Sequence, residues 1–189
     1  ADYVHYAADL RGSRRGGESP RGGSVRVLDI GVGANCVYPM IGRAEYGWRF
    51  TGTDTDPVAL ACATRIVELN PGLVGEVELR LQTNSSSIFE GVINSGESFD
   101  LAMCNPPFYA SREDARQAGR LKWKKLGRQP EAERNFGGMD SELWHPGGEE
   151  AFVRRMIEES ADFGTSVLWF TALISKAAAL PALDKALSK

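Results

Sequence analysis

Four consecutive residues, Asn105, Pro106, Pro107 and Phe108, combine types that could hold a planar amino group. A proline pair continues neither a helix nor a central strand, and a proline has no backbone N–H. The stretch therefore presents two acceptors, the Asn105 side-chain oxygen and the Pro106 carbonyl, on a backbone whose φ angles are pre-set. These acceptors match the two N–H donors of an amine such as N6 of adenine. Phe108 adds a flat face on which a base can stack, which contributes about 1–3 kcal/mol.

Accepting both amine protons would draw the amine lone pair out of conjugation and direct it at an electrophile. If the electrophile is a sulfonium methyl group, the transfer requires no strong general base, and the proton can leave to water afterwards. Catalysis would then depend mostly on proximity and orientation, which can contribute about 7–11 kcal/mol. His145 is therefore not required as a base. We expect its segment, 137–150 (GGMDSELWHPGGEE), to be a loop packed over the site, with a lid that orders when the substrate binds as the alternative.

A glycine turn follows the first predicted strand, VRVLDIG at 25–31. Gly31 and Gly33 permit a tight turn and close approach of a ligand to the backbone. The third glycine of the dinucleotide fingerprint is missing, and Asp29 is unusual for that fingerprint, so a nicotinamide or flavin site is disfavoured. No Gly-Lys-Ser/Thr follows, which excludes a P-loop. A strand–helix turn without any ligand remains the alternative.

An acid ends the second predicted strand, RFTGTD at 49–54. Asp54 lies 21 residues after Gly33, where an acid can accept the ribose hydroxyls of an adenosine-containing cofactor. Asp56 is the rival candidate, but it precedes Pro57 and is expected to be the cap of the next helix.

These motifs depend on an alternation of strands and helices. An α/β fold follows, a Rossmann-like class with a mostly parallel sheet and helices on both faces. All three motifs then lie at the carboxyl edge of the sheet, where open α/β sheets bind ligands. Strands are predicted at 25–31, 49–54, 76–82, 98–105 and 166–175, and helices at 1–10, 36–47, 57–72, 87–96, 147–164 and 180–189.

The bulk composition is that of an ordinary globular protein. The 189 residues are 42% apolar and 25% charged, enough for one domain with a full core. No apolar run could cross a membrane, and the N-terminus does not resemble a signal peptide. The three cysteines fit neither a disulfide framework nor a metal site, which favours a reducing cytoplasm.

Charge is distributed unevenly along the chain. The net charge of −3 argues against a general nucleic-acid coat protein. Residues 111–128, however, hold seven Lys/Arg against two acids, and residues 11–26 hold five Arg against one acid. Both stretches are either solvated loops, the second a mobile link, or a phosphate-contacting rim around the site.

The motifs around these residues resemble one family closely. Asn-Pro-Pro-Phe after strand four is typical of amino-methyltransferases that use S-adenosylmethionine. LDIGVGANCVYPMIG, EYGWRFTGTD, NFGG, GGEEAFVRRMIEES and LWFTALIS are similar to the RlmF family of 23S ribosomal RNA adenine-N6 methyltransferases, and the resemblance extends over nearly the whole chain. It implies methylation of one adenine in large-subunit ribosomal RNA.

The resemblance also assigns residues to roles. Asn105, Pro106, Pro107 and Phe108 would hold the target base. For the segment 120–125, phosphate contact and stacking of a base are expected. The cofactor residues would be Asp29, Gly31, Gly33, Asn35, Asp54 and Asn84. The RNA contacts are expected from the basic character of the segment and its place after the catalytic loop, and the residues are Arg120, Lys122, Trp123, Lys124 and Lys125.

Members of the family have a further N-terminal segment, and they continue into the last two strands of a seven-stranded sheet. Here the chain divides into a helix with a Gly/Arg-rich link, 1–24, and a methyltransferase domain, 25–189, that is short at its C-terminus. A monomer without metal or membrane association is expected. Two alternatives stay open: a protein glutamine-N5 methyltransferase, and a non-catalytic RNA-binding remnant of the fold.

Overall fold

The computed structural model describes residues 2–13, 16–111, 113–114, 117 and 144–188. The basic segment 120–125 lies outside these residues. The helices are α1 (Asp2–Ser13), α2 (Val37–Tyr46), α3 (Pro57–Leu69), α4 (Gly148–Ser160) and α5 (Leu180–Leu187), with single 3-10 turns at Ala161–Phe163 and Ala177–Ala179; the strands are β1 (Arg26–Ile30), β2 (Arg49–Asp54), β3 (Val77–Leu81) and β4 (Leu101–Cys104).

The four strands form one parallel sheet in the order β3-β2-β1-β4. Ile30 at the end of β1 is in register with Thr53 of β2 on one side and with Cys104 of β4 on the other. The turn after β1, the acid that ends β2 and the loop after β4 therefore meet at one edge. The predicted α/β class and the shared edge are confirmed.

The fifth predicted strand, 166–175, runs beside β4 without forming a continuous ladder. Two isolated parallel bridges join them, Phe99 to Val167 and Ala102 to Phe170. The segment occupies the fifth position of the sheet, but its pairing with β4 is interrupted.

Two apolar clusters cover the two faces of the sheet, because successive side chains of a strand point to opposite sides. Val27 of β1 and Phe50 of β2 belong to the cluster that packs with α1, α2 and α3. Leu28 and Ile30 of β1 belong to the other cluster, with Met156 of α4. The candidate site thus rests on strands that are buried on both faces.

Helix α1 packs into the first of these clusters through Tyr3, Val4, Ala7 and Ala8. An ion pair between Arg11 and Asp100, with N···O 2.5 Å, also ties its last turn to the segment before β4. The boundary predicted at residue 24 stays a prediction.

The part of the predicted mobile link that the structure describes is held by hydrogen bonds. Trp48 is fully buried, and its indole N–H donates to the Pro20 carbonyl at 2.7 Å. Gly22 N–H donates to the Tyr46 carbonyl at 2.8 Å. The link therefore lies against the end of α2 rather than free of the domain.

The helix predicted at 87–96 is wrong, because the structure forms a series of turns there. Gly91 and Gly96 have φ of +83° and +81°, a conformation that ends a helix rather than continuing one. The carboxylate of Glu159 in α4 accepts three consecutive N–H groups, those of residues 88–90, at 2.7–2.8 Å. A long-range contact has replaced the local structure that the sequence favours.

Within the described residues, no helix has both the length and the apolar character that crossing a membrane requires.

Candidate functional site

A cavity of about 680 Å³ opens at the carboxyl edge of the sheet. The turn after β1, the end of β2 and the loop after β4 all contribute to its wall, and residues 144–146 together with Phe152 and Arg155 of α4 close one side. This volume is in the range of pockets that hold a cofactor or a drug-sized molecule. Of the residues expected to bind a cofactor, Gly31, Gly33, Asn35 and Asp54 line it, as do all four residues expected to hold the base.

The glycine turn is fixed by β2. Gly31 N–H and Val32 N–H both donate to the Thr53 carbonyl at 2.9 Å. Gly31 and Gly33 have φ of +74° and +63°, which a side chain would strain. A Cβ added at Gly31 would meet no atom within 4 Å, so open space lies over this backbone. A ligand can therefore approach the turn closely, as the sequence predicts.

Asp54 is held by two backbone donors. Gly33 N–H donates to its Oδ2 at 3.0 Å, and Asp56 N–H donates to its Oδ1 at 2.9 Å. Burial raises the pKa of Asp54, and these two N–H groups oppose that rise. The Asp56 side chain accepts from Val58 N–H at 2.8 Å, which confirms its predicted role as the cap of α3. Asp54 thus connects the glycine turn to the start of the next helix.

Asp29 lies deeper than the sequence suggests. Its side chain is fully buried and does not line the cavity, although the next two residues do. Neither carboxyl oxygen has a hydrogen-bond partner among the described residues. Burial, and secondly the charge of Asp54, raises the pKa of Asp29 to about 8. At neutral pH Asp29 is therefore largely protonated.

Replacing Asp29 with Asn should change how stability depends on pH. In the unfolded chain an Asp ionises near pH 3.9, whereas in the folded chain it does so near 8. The folded state therefore holds the extra proton between these values, and stability falls as pH rises across that window, by up to about 1.4 kcal/mol per pH unit.

The Asp29→Asn variant has no carboxyl group to ionise at this position, so it does not lose stability in this way as pH rises. The difference between its melting temperature and that of wild type should therefore increase steadily from pH 5 to pH 8. Thermal melts of both proteins at several pH values measure the difference. A difference that stays constant over this range would mean that Asp29 ionises normally.

The loop after β4 presents an unused acceptor. Oδ1 of Asn105 is buried and has no hydrogen-bond partner among the described residues. Such a group costs free energy unless a ligand or water satisfies it. Pro106 is fully buried, whereas Pro107 and Phe108 are half-buried and also line the cavity. This arrangement suits a ligand that donates hydrogen bonds.

The segment before α4 packs against the same loop. Tyr109 forms an isolated bridge with Trp144, and His145 N–H donates to the Tyr109 carbonyl at 2.9 Å. The His145 ring lies edge-on to Phe152, with centroids 5.4 Å apart. Burial lowers the pKa of His145, so the ring is neutral at neutral pH. Residues 144–146 thus form part of the cavity wall, as the loop prediction requires, and residues 137–143 lie outside the described residues.

Asn84 is the second predicted cofactor residue, after Asp29, that does not line the cavity. It is exposed and absent from the cavity lining. Its amide donates to Ser87 Oγ at 2.9 Å and accepts from Ser86 N–H at 3.0 Å, so it shapes the turn instead. Gln82, the last buried residue before this turn, lines the cavity and was missed. Its position directly after β3, at the same sheet edge, was the available signal.

Arg155 was also missed. It projects from α4 into the cavity wall, and its Nη1 donates to the Ser85 carbonyl at 3.2 Å. The sequence gives no sign of this, because Arg155 is one of two adjacent arginines on an amphipathic helix.

An S-adenosylmethionine molecule fits the residues present. It carries an adenosine whose ribose needs acceptors, and a cationic sulfonium and ammonium. Asp54 at the end of β2 offers a fixed carboxylate, and the open space over Gly31 admits a ligand against the backbone. The buried Oδ1 of Asn105 remains for a donor on a second molecule.

Comparisons with known proteins agree with this geometry. A family profile described as RNA methyltransferase matches residues 1–189. Ribosomal RNA large subunit methyltransferase F of Pseudomonas putida is 51% identical over 193 residues, covering 100% of this chain and 61% of that protein. The Serratia proteamaculans protein of the same name is 52% identical over 186 residues, covering 97% of this chain and 55% of its own length. The chain thus spans about three fifths of the length of the curated relatives it matches.

A solved structure gives the same result for the fold. The hMettl16 catalytic domain in complex with MAT2A 3'UTR hairpin 1 superposes with a TM-score of 0.76 at 28% identity, covering 99% of this chain and 59% of that one. The human methyltransferase 10 domain containing protein superposes with a TM-score of 0.67 at 26% identity, covering 99% and 69%. The predicted methyltransferase architecture is confirmed by both.

Proposed function

The chain belongs to the RNA methyltransferase family, and from this premise we propose that it methylates the N6 amine of one adenine in large-subunit (23S) ribosomal RNA, with S-adenosylmethionine as methyl donor. The observation that carries the proposal is the buried, unpartnered Oδ1 of Asn105, which lines the same cavity as the Gly31–Gly33 turn and Asp54. The names of the curated relatives support ribosomal RNA as the substrate.

The cofactor end of the site is the turn after β1 together with the end of β2. Gly31 and Gly33 would let the ligand lie against the backbone, with Asn35 beside them. Asp54 would accept from the ribose hydroxyls with the lone pairs that its two backbone donors leave. Asn84 would lie near the cofactor adenine, and Gln82, which lines the cavity, would support the turn through its hydrogen bonds to Glu90 and Asn84. S-adenosylmethionine, when bound, supplies an electrophilic methyl group.

The target end is the loop after β4. Asn105 Oδ1 and the Pro106 carbonyl would accept the two N–H bonds of the adenine amine and so orient its lone pair. Phe108 would stack on the base, and Pro107 would keep the loop in one shape. The adenine has to be unpaired or flipped to reach this depth. His145 is neutral and serves as a wall of the pocket, because the proton can leave to water after transfer.

The remaining RNA contacts are proposed for the basic segment 120–125. Arg120, Lys122, Lys124 and Lys125 would contact phosphates, and Trp123 would stack on a base. Because the contacts would be ionic, we expect RNA binding to weaken steeply with salt. The cytoplasm is the proposed location, since the proposed substrate is ribosomal RNA.

Incubation with labelled S-adenosylmethionine tests the proposal directly. The chain would be offered undermethylated large-subunit ribosomal RNA in one reaction and a release-factor protein in another. We expect N6-methyladenosine in the RNA. Label in the release factor would instead identify a glutamine-N5 methyltransferase. Absence of label from both, with cofactor binding intact, would identify a non-catalytic remnant.

Replacing Phe108 with Ala should weaken the use of RNA. Loss of one base–aromatic stack costs about 1–3 kcal/mol, which corresponds to a roughly 5- to 150-fold rise in KM for RNA. Phe108→Tyr, which keeps the ring, is the matched control and should behave like wild type. Steady-state kinetics with RNA as the varied substrate measure both. Equal KM values for Phe108→Ala and wild type would remove the stacking role.

A further inference from the structure

The backbone of residues 166–173 pairs with β4 by hydrogen bonds that alternate in direction. Ala102 N–H donates to the Trp169 carbonyl at 2.7 Å, and Thr171 N–H donates back to the Ala102 carbonyl at 2.8 Å. In regular parallel pairing the same two bonds recur two residues further along each strand.

At Cys104, two residues after Ala102, only one of the two expected hydrogen bonds is present. Leu173 N–H donates to the Cys104 carbonyl at 2.9 Å, as regular pairing requires. Cys104 N–H, which regular pairing would direct to the Thr171 carbonyl, donates instead to the hydroxyl of Tyr3 at 3.1 Å. A side chain from α1 is thus inserted between the two strands at the last residue of β4.

The direction of every hydrogen bond at this point is determined. Thr171 Oγ1 donates its single hydrogen to the Ala102 carbonyl at 2.9 Å. The 2.8 Å contact between Tyr3 and Thr171 Oγ1 must therefore use the hydrogen of Tyr3. The Tyr3 hydroxyl thus donates to Thr171 Oγ1 and accepts from Cys104 N–H. Burial raises the pKa of Tyr3, which keeps this hydroxyl protonated.

The next residue after Cys104 is Asn105, and two prolines follow it. Pro106 and Pro107 have no N–H, so they can donate no backbone hydrogen bond. After Asn105 itself, the next backbone donor along the chain is that of Phe108. The nearest upstream backbone donor to Asn105 is therefore Cys104 N–H, which Tyr3 holds, and on the downstream side the buried ring of Pro106 holds the chain by packing.

We propose that Tyr3 is a positioning residue for Asn105: its hydroxyl fixes the end of β4 and thereby places the Asn105 acceptor in the cavity. This inference rests on the proposed function, because it gives Asn105 the task of holding the target amine. It also gives α1 a role in catalysis, although α1 supplies no residue to the described cavity lining. The ring of Tyr3 packs edge-on against Tyr38, which does line the cavity, with centroids 5.4 Å apart.

Tyr3→Phe tests the proposal, since it keeps the ring and removes only the hydroxyl. Misplacing a reacting group by about 1 Å can cost about 100-fold in rate. We expect kcat to fall by about 10- to 100-fold while KM for RNA and the cofactor Kd change by less than about threefold. Amide hydrogen exchange at Cys104, followed by NMR without any ligand, should accelerate at least about tenfold.

Two further variants separate positioning from general stability. Tyr46→Phe removes another hydroxyl bonded to α1, that of the 2.7 Å contact with His5, and should leave kcat and Cys104 exchange at wild-type values. Thr171→Val removes the acceptor for Tyr3 and should reproduce the Tyr3→Phe pattern, whereas Thr171→Ser should not.

Unchanged exchange at Cys104 in Tyr3→Phe would overturn the inference, and so would faster exchange with an unchanged kcat. A wild-type chain that binds cofactor but methylates no adenine would refute the proposed function instead. In that case the inference is decided by the exchange of Cys104 and by the NMR signals of the Asn105 side-chain amide, which should shift or broaden in Tyr3→Phe. If they remained as in wild type, Tyr3 would not position Asn105.

Discussion

Asn105→Ala should lower kcat by about 100- to 1,000-fold and leave the cofactor Kd within about threefold of wild type; loss of one preorganised hydrogen-bonding group from other active sites has an effect of this size. The side-chain oxygen of Asn105 is buried and has no partner among the described residues, so its loss breaks no hydrogen bond within that part of the chain. Its removal should therefore not destabilise the fold, and the loss should fall on the chemical step.

The measurement pairs single-turnover kinetics on ribosomal RNA with calorimetric titration of S-adenosylmethionine. Asn105→Asp is the matched variant, because it keeps an acceptor oxygen in the same place, and we expect it to retain more activity than Asn105→Ala. A large loss of cofactor affinity in Asn105→Ala would show that the Asn105 side chain belongs to the cofactor end of the site. Equal activity of the Ala and Asp variants would show that the acceptor oxygen has no role.

The positions of Asn105 and Asp54 could be predicted from the sequence for a simple physical reason. Asp54 is the last residue of β2 and Asn105 directly follows β4, and parallel strands place their carboxyl ends at one edge. The chemistry of the residue then suggests its role. Asp56 was predicted as a cap by the same kind of local argument, from the proline that follows it.

The sequence does not predict the contacts that depend on distant segments. Tyr3 reaches Cys104 across 101 positions, and Glu159 reaches Phe89 across 70. Neither partner has a local pattern that marks it, since one is an aromatic on an amphipathic helix and the other an acid on another. The helix prediction for residues 87–96 was wrong for this reason. The local pattern could not reveal that the Glu159 carboxylate accepts the N–H groups of residues 88–90. The sequence likewise does not show that the turn after β3 uses the side-chain amide of Asn84 for its own hydrogen bonds.

These long-range contacts connect two of the loops around the cavity to the helices α1 and α4. Helix α1 holds the end of β4 through Tyr3, and α4 holds the turn after β3 through Glu159 and Arg155. The loop after β4 and the turn after β3 are therefore each held by residues that are far away in the sequence. The strands determine where the site lies, and the helices determine how its loops are shaped.

Asp54→Ala should weaken cofactor binding by about 100-fold, because it removes three interactions at once. Hydrogen bonds to a charged group contribute about 1.5–3 kcal/mol each. The variant would leave Gly33 N–H and Asp56 N–H without the carboxylate that accepts from them at 3.0 and 2.9 Å. It would also remove the proposed acceptor for the ribose hydroxyls. The glycine turn would lose the side-chain acceptor of Gly33 N–H, so the backbone that the ligand approaches would be held less firmly in one shape.

Asp56→Ala is the control that makes this prediction specific. It removes a carboxylate two residues away but keeps the backbone N–H that donates to Asp54. Loss of the α3 cap should cost about 1 kcal/mol of stability and leave cofactor affinity unchanged. Titration calorimetry and thermal melts of both variants measure the two quantities. If Asp56→Ala weakened cofactor binding as much as Asp54→Ala, the ribose role would pass to Asp56, and the fixed carboxylate of Asp54 would serve only to shape the turn.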